Sequence, residues 1–200
     1  MAADDPRWRA LGGVAGPAIF IASWAVLGTN RPGYSPVDDQ ISRLAAVGAS
    51  SRPAMTLGLA ALGVGVLVGA RPLGVGFGRR VGWLAASTAL ATLGVAALPL
   101  GSKIDGAHAA AAALSYGALA ATPLVAAGML AGQGRRVAAA ASGAVGLASA
   151  AALLASVVVA ERTGLWQRVG LSLGDGWLMA ASVWLVAGRG QLPPVKAGSR

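Results

Sequence analysis

The chain has no cysteine, a single histidine and few charged residues. The absence of cysteine excludes disulfides, thiolate metal sites and cysteine nucleophiles. The lone histidine, His108, cannot form a zinc site unless Asp or Glu fills the remaining positions, and we expect neither a metal site nor a cofactor. Charged residues make up 12% of the chain against 56% hydrophobic residues, which leaves too little polar surface for a soluble globular protein.

Six long apolar stretches predict an all-α integral membrane protein. Each has roughly the length that crosses a hydrocarbon core about 30 Å thick as a helix rising about 1.5 Å per residue. The predicted spans are about 11–28, 54–70, 81–100, 107–131, 137–160 and 167–188. We expect residues 1–190 to form one six-helix membrane domain. Residues 191–200, with Pro193-Pro194 and small polar residues, are predicted to be a disordered cytoplasmic tail.

The net charge of +9 reports membrane topology and does not indicate nucleic-acid binding. Basic residues flank the apolar stretches in ones and twos and form no single stripe, so we expect no nucleic-acid partner. Ten Lys and Arg residues fall on the side of the termini and six on the other side. The positive-inside rule therefore predicts a multi-pass protein of the cell membrane with both termini cytoplasmic. The first stretch is long for a signal peptide and five spans follow it, so we interpret it as a retained anchor.

The first outer loop, residues 29–53, carries a predicted short helix from about Pro36 to Val47. A helix with one apolar side would lie in the membrane interface with that side down. An alternative is a plug or lid that only covers the outer end of the bundle. The sequence pattern behind this helix comprises Ser35 as N-cap, Pro36 at the first helical position, the apolar stripe of Val37, Ile41 and Leu44, and the i,i+4 pair of Asp39 with Arg43.

The second outer loop, residues 101–106, precedes His108 in the first turn of the fourth span. Asp105 is predicted to cap that helix. It also lies three residues before His108, close enough for its carboxylate to orient one imidazole nitrogen. Three interpretations remain open for His108: an interfacial residue on a capped helix, a ligand contact, and part of a zinc enzyme.

The third outer segment, residues 161–168, contains Glu161 and leads into Gln167 and Arg168 at the start of the sixth span. Arg at such a position suits a phosphate or a carboxylate. Asp175 lies seven residues further on, about two helical turns, and therefore on the same face. An ionisable residue inside a span is a site candidate by default. The alternative for Asp175 is a buried pair or a hydrogen bond to one of the polar residues of neighbouring helices, namely Ser87, Thr88, Thr92, Ser115 or Tyr116.

The layout of these residues resembles the bacterial membrane family known as domain of unknown function 998. The motifs that carry the resemblance are Pro17 in the first span, Arg31-Pro-Gly-Tyr-Ser-Pro with Ile41-Ser42-x-Leu44, Asp105 with His108, Gly164-Leu165-x-Gln167-Arg168, and Trp177. The resemblance implies a six-span integral membrane protein whose matching polar residues gather on one side, with no established activity. A fainter similarity of layout links the chain to FRAG, DRAM and Sfk type six-span proteins, which are connected with lipid handling.

The leading functional hypothesis is an outward-opening polar pocket that binds an amphiphile, in particular a lipid headgroup. The candidate ligand-binding residues come from the three outer gaps and the sixth span: Arg31, Tyr34, Asp39, Ser42, Asp105, His108, Glu161, Gln167, Arg168 and Asp175. A second hypothesis is a membrane-embedded lipid hydrolase or transferase with His108 as general base, Asp105 as its orienting group, and Ser42 or a water as nucleophile.

A third hypothesis is a non-catalytic scaffold or assembly subunit that packs through its Ala and Gly faces, with sensitivity at Gly143 or Gly146. A fourth, transport, would need a dimer to enclose a pathway. The expected partners are membrane lipids, with other membrane proteins or a second copy of the chain as further candidates.

Overall fold

The structure, a computed structural model, describes residues 7–159 and 161–188, and all regular secondary structure in them is helical. The helices are α1 Arg7–Ala10, α2 Gly12–Asn30, α3 Arg52–Phe77, α4 Arg79–Ala97, α5 Asp105–Gly132, α6 Arg136–Val158 and α7 Thr163–Val186, with a short 3₁₀ helix at Ile41–Ala45. Six helical segments in these ranges, the first comprising α1 and α2, are long and apolar enough to cross a membrane. The six-span prediction is confirmed, and the predicted tail 191–200 lies outside the described residues.

The helix boundaries follow the predicted spans closely except at the end of the second span. The prediction ends that span at Ala70, whereas α3 continues to Phe77 and includes Arg71 and Pro72. Arg71 is exposed, so its long side chain can extend along the helix and keep its charged end in water without ending the helix. A charge near the end of a span therefore does not mark the end of the helix.

The six long helices form a ring in chain order. Each packs against the next, and α7 packs against α2 to close the ring. Phe20, Met55, Leu119 and Leu178 are fully buried in its interior. Small residues bring the backbones close, since a Cβ on Gly16 of α2 would lie 2.8 Å from the carbonyl oxygen of Ala61 in α3. Such contacts supply much of the packing energy between helices in lipid, where apolar side chains gain little by leaving a hydrocarbon solvent.

The bundle has two different ends. The long-loop end carries residues 31–51 and 98–104, and the short-loop end carries Gly78 and residues 133–135. At the short-loop end α5 finishes in a Schellman motif, in which the Arg135 amide donates to the carbonyl of Leu130 and the Gly134 amide to that of Ala131, both at 2.9 Å. Gly134 has a φ of 74°, a conformation that glycine adopts without strain. Backbone geometry alone thus closes this turn.

The short helix predicted from about Pro36 to Val47 does not form over that range. The chain forms a turn and then the shorter 3₁₀ helix Ile41–Ala45. An α-helix would pair the Ile41 amide with the Val37 carbonyl, but α7 takes both groups. The Ile41 amide donates to Gln167 Oε1 at 2.7 Å, and the Val37 carbonyl accepts from the Leu165 amide at 2.8 Å.

Two features of the predicted loop helix are nevertheless present. Arg43 Nη1 lies 2.9 Å from Asp39 Oδ1, so the predicted ion pair is confirmed. Ile41 and Leu44 are buried against the bundle, whereas Val37, the third member of the predicted apolar stripe, is exposed. The loop therefore rests on the end of the bundle with its apolar side inward, although without α-helical geometry.

Candidate functional site

Arg168 at the start of α7 holds the first long loop against the bundle. Its side chain is only 7% exposed, and Nη1 donates to the carbonyl oxygens of Pro36 at 2.5 Å, Asp39 at 3.0 Å and Gly164 at 3.0 Å. Nη2 donates to the Tyr34 hydroxyl. The guanidinium also lies over the Trp24 ring, with Cζ 5.3 Å from its centroid. Most of the hydrogen-bonding capacity of Arg168 is therefore used within the protein.

Gln167, the residue before Arg168 in α7, binds the same loop. Its Oε1 accepts the Ile41 amide at 2.7 Å, and its Nε2 donates to the Tyr116 hydroxyl of α5. We call Gln167 and Arg168 the loop anchor. Gly164 permits the close approach, because a Cβ on it would lie 2.8 Å from the Pro36 carbonyl oxygen. The sequence motif Gly164-Leu165-x-Gln167-Arg168 is thus a motif for holding this loop.

Tyr34 links the loop anchor to the rest of the loop. Its hydroxyl accepts from Arg168 and is 3.1 Å from the Gln40 carbonyl oxygen, to which it donates. Burial raises the pKa of this hydroxyl above its usual 10.0, although the Arg168 charge acts in the opposite direction. Arg31 also contacts Tyr34, with Cζ 5.8 Å from the centroid of its ring. Arg31 Nη1 donates to the Arg43 carbonyl at 2.6 Å.

The contacts of Asp39 are with residues of the loop and with Arg168. Its Oδ2 accepts the Ser35 amide at 2.9 Å, and its Oδ1 pairs with Arg43. Its backbone carbonyl accepts from Arg168. Four of the predicted ligand-binding residues, Arg31, Tyr34, Asp39 and Arg168, lie close together, and their contacts are with one another and with the loop backbone.

His108 is oriented by a backbone carbonyl and not by Asp105. Its Nδ1 lies 2.5 Å from the Leu98 carbonyl oxygen. A carbonyl accepts only, so Nδ1 carries the proton and Nε2 of a neutral imidazole is left as an acceptor. Asp105 is exposed, and its Oδ1 accepts the amides of Gly101 at 2.8 Å and Ser102 at 2.9 Å. The predicted Asp105–His108 contact is wrong, because the Asp105 carboxylate accepts hydrogen bonds from amides of the preceding loop instead.

His108 and Ser42 line one small cavity beneath the 3₁₀ helix. Three further polar side chains line it, Thr92 of α4 and Ser115 and Tyr116 of α5. The Thr92 and Ser115 hydroxyls are hydrogen-bonded at 2.9 Å. Two predicted site residues from different outer gaps thus meet in one place, inside the long-loop end of the ring.

The rest of the cavity wall is apolar. Phe20 of α2, Leu62 of α3 and Leu171 of α7 are among the side chains that complete it. The cavity volume is about 40 Å³, and one water needs roughly 10–15 Å³ of such a volume. With the loop in its observed position, the cavity has room for a few water molecules at most.

Two predicted site residues lie away from this cavity. Glu161 is exposed, and Asp175 is fully buried in α7 with both carboxylate oxygens lacking a hydrogen-bond partner in the described part of the chain. None of the hydroxyls proposed as alternative partners of Asp175 bonds to it. Asp175 is therefore not a wall residue of the cavity with His108 and Ser42.

The sequence prediction missed Thr92, Ser115 and Tyr116 as site residues. A signal for two of them is visible in the sequence, because His108, Ser115 and Tyr116 are spaced i, i+7 and i+8 and share one face of α5. No comparable sequence spacing marks Trp24, whose ring lies beneath the Arg168 guanidinium.

The described residues contain no group of three or more His, Cys, Asp and Glu side chains that could hold a metal ion. The polar cavity walls instead carry hydroxyls and one imidazole. This donor set suits hydrogen bonds to a neutral polar group more than it suits a cation or a phosphate.

Comparison with known families gives a match that spans most of the chain. The family model described as Protein of unknown function (DUF998) matches residues 14–184. No curated protein and no solved structure matches the chain at a significant level. The matched range includes the loop anchor, the cavity residues, four complete membrane-length helices and most of α2 and α7, and the chain belongs to the DUF998 family.

Proposed function

We propose that the protein binds the polar end of a membrane amphiphile in the cavity beneath the first long loop. One observation carries the proposal: the wall of a single cavity in the membrane bundle includes hydroxyls and an imidazole as well as apolar side chains such as Leu62 and Leu171. An amphiphile presents the same two surfaces. With both termini in the cytoplasm of a cell membrane, as the charge distribution predicts, this site faces the extracytoplasmic side.

The chemistry of the cavity favours a neutral, hydroxyl-bearing headgroup over a phosphate. His108 Nε2 offers an acceptor, and the Ser42, Ser115 and Tyr116 hydroxyls can donate or accept. Arg168 would be the natural partner of a phosphate, but its Nη atoms are committed to the loop. A glycerol or sugar headgroup therefore suits this lining.

Binding of such a headgroup requires the loop to move. A volume of about 40 Å³ holds only a few waters, whereas small-molecule sites commonly have several hundred Å³. The loop is held by side-chain bonds from Gln167 and Arg168, and lifting it would separate Ser42 from the cavity floor and enlarge the space. We expect a resident water to be replaced by the headgroup as the loop lifts.

The test is native mass spectrometry of the protein released gently from its own membrane. We expect a defined lipid adduct on the wild type that is lost in His108→Ala and in Ser42→Ala. Glu161→Gln is the matched control, because Glu161 is a polar residue of the same end outside the cavity, and it should retain the adduct. Identical adduct patterns in all four proteins, each with an unchanged Tm, would contradict the proposal.

A second candidate function, lipid hydrolysis or transfer, rests on the shared position of His108 and Ser42. The Nδ1 contact with the Leu98 carbonyl leaves His108 Nε2 as the atom that would take the proton of Ser42. No hydrogen bond joins these two side chains in the described structure, and we therefore place the enzymatic function after amphiphile binding. A fluorophosphonate probe that labels the wild type, and neither Ser42→Ala nor His108→Ala, would reverse the ranking.

The scaffold hypothesis receives less support, because the glycines of α6 that it invokes, Gly143 and Gly146, face α5 of the same chain. A Cβ on Gly146 would lie 2.6 Å from the Leu124 side chain of α5. A substitution there would disturb the α5–α6 contact whether or not a partner exists. Sensitivity at Gly146 therefore cannot be taken as a sign of assembly with other proteins.

A further inference from the structure

The buried polar atoms without hydrogen-bond partners are concentrated on two helices. In the described part of the chain these atoms are Trp24 Nε1, Arg168 Nε, both carboxylate oxygens of Asp175, and Ser182 Oγ. All four residues belong to α2 or α7. By contrast, the buried hydroxyls of the other helices are bonded, for example Ser149 to the Gly170 carbonyl at 2.7 Å and Thr122 to that of Ala118 at 2.7 Å. Unsatisfied groups are rare in native interiors, so their collection on one interface requires an explanation.

Three of these residues form one stripe on α7. Arg168, Asp175 and Ser182 are spaced seven residues apart, which places them on the same helical face at intervals of about 10.5 Å. The stripe faces α2 at both ends. Arg168 lies over the Trp24 ring, and a Cβ on Gly13 would lie 3.3 Å from Ser182 Cβ. The unsatisfied groups thus follow the α2–α7 interface over most of its length.

Pro17 adds a further acceptor to this interface. Proline has no amide hydrogen, so Pro17 cannot donate to the Gly13 carbonyl as a helix residue at that position normally would. Gly13 is the α2 residue that faces Ser182. A carbonyl without its usual donor and an unbonded hydroxyl therefore belong to facing residues at the short-loop end of the stripe, where a bridging water would have two polar partners.

The energetics exclude a dry interface with an ionised Asp175. A carboxylate buried without a partner is strongly disfavoured, and it is stabilised only by a proton, by water or by a cation. Arg168, the charged residue on the same stripe, binds neutral carbonyls and a hydroxyl and has no carboxylate partner among the described residues. Internal waters are common in proteins and typically bridge such groups, about one per 27 residues.

We propose that internal waters occupy the α2–α7 interface from Arg168 to Ser182, and that Asp175 is a proton-binding site that exchanges its proton with them. The carboxyl group releases its proton to an adjacent water and accepts one back from the same group of waters. These waters extend to Ser182 and the Gly13 carbonyl at the short-loop end. At the long-loop end they extend to Trp24 and Arg168.

Few other groups on the neighbouring elements can compete for this proton. The described residues of α2 contain no titratable side chain. Among the elements packed against α7, the described titratable or charged side chains are Arg9 of α1, Arg52 and Arg71 of α3, Asp105, His108 and Tyr116 of α5, Arg136 of α6, and Arg43 of the 3₁₀ helix. Of these, Tyr116 lies well inside a span, and its hydroxyl is bonded to Gln167.

Infrared spectroscopy of the purified protein in H₂O and D₂O tests the proposal. The wild type should show a protonated-carboxyl band that is absent from Asp175→Asn, present in the control Asp105→Asn, and shifted to lower frequency in D₂O. Asp175→Glu provides a second variant, in which the band should move and not vanish.

Two results would overturn the inference. If wild type and Asp175→Asn show the same carboxyl bands, Asp175 is ionised and its charge is balanced by something other than a proton. If the band is present but does not shift after prolonged exposure to D₂O, while exposed amides exchange, the interface is dry.

Discussion

The two ends of the bundle are closed in different ways. At the long-loop end, Gln167 and Arg168 bind the backbone of residues 36–41 with their side chains. At the short-loop end, a single Gly78 joins α3 to α4, and the Gly134 turn is closed by bonds between backbone atoms. The long-loop end therefore depends on a few buried side chains, and releasing them frees a loop that covers polar groups. Among the described residues, the short-loop end has no comparable element to release.

The largest effect that separates the two ends is expected for Arg168→Leu. The substitution removes bonds to three carbonyls and to Tyr34, and hydrogen bonds to charged groups contribute about 1.5–3 kcal/mol each. We expect the free energy of unfolding to fall by at least about 3 kcal/mol, which lowers the Tm in detergent by roughly 6–12 °C.

The control for Arg168→Leu is Arg136→Leu, the same substitution at an exposed residue of the short-loop end. It should change the free energy of unfolding by less than about 0.5 kcal/mol. Equal losses of Tm in the two variants would mean that the side chains of α7 do not distinguish the ends.

Gly164→Ala should give the next largest effect, because it forces the loop away from α7. The new Cβ would lie 2.8 Å from the Pro36 carbonyl oxygen, and overpacking of this kind typically costs about 1–3 kcal/mol. Since the chain has no cysteine, Ser42→Cys provides a single site whose alkylation rate reports loop opening. Gly164→Ala should raise that rate. Gly176→Ala on the same helix, where a Cβ meets no atom within 4 Å, should leave it unchanged, and the loop contact is disproved if both variants label alike.

The sequence predicts the membrane-spanning helices well, because apolar length is a local property of the chain. It fails for the loop between Pro36 and Val47, where local signals favour an α-helix. The deciding hydrogen bond, from the Ile41 amide to Gln167, joins residues 126 positions apart. No local pattern contains the information that α7 will bind the amide and carbonyl groups that a helix would need.

The candidate site was predictable in part for a related reason. His108 stands out as the single histidine in the first turn of the fourth span, and Ser42 belongs to the Ile41-Ser42-x-Leu44 motif of the first outer loop. The two residues share a cavity. The role of Arg168 was harder to predict from the sequence, because an Arg at the start of a span suits a phosphate as well as it suits a carbonyl. The structure resolves this ambiguity by the atoms within reach, namely the carbonyls of Pro36, Asp39 and Gly164.

A smaller effect is expected at the short-loop end for Gly134→Ala. Alanine at a φ of 74° is strained by about 1–2 kcal/mol, and no neighbouring atom within 4 Å contributes a clash. The Tm should fall accordingly, while alkylation of Ser42→Cys stays at the wild-type rate because the two ends are separated by the length of the bundle. The neighbouring Gln133→Ala, an exposed side chain outside the left-handed position, is the control and should have almost no effect on Tm. Faster alkylation in Gly134→Ala would show that the ends are coupled.

The smallest expected effect is an alkaline loss of stability that originates at the long-loop end. Burial raises the pKa of Tyr34 above 10.0, so the folded protein holds this proton more tightly than the unfolded chain does. The resulting contribution to stability is complete below pH 10.0 and is lost as the pH rises through the higher pKa of the folded state. The chain has two tyrosines, and Tyr116 is unchanged in Tyr34→Phe, so a comparison with this variant isolates Tyr34. We expect the Tm of the wild type to fall more steeply above pH 10 than that of Tyr34→Phe, and parallel curves would show that the Tyr34 proton does not contribute to holding the loop.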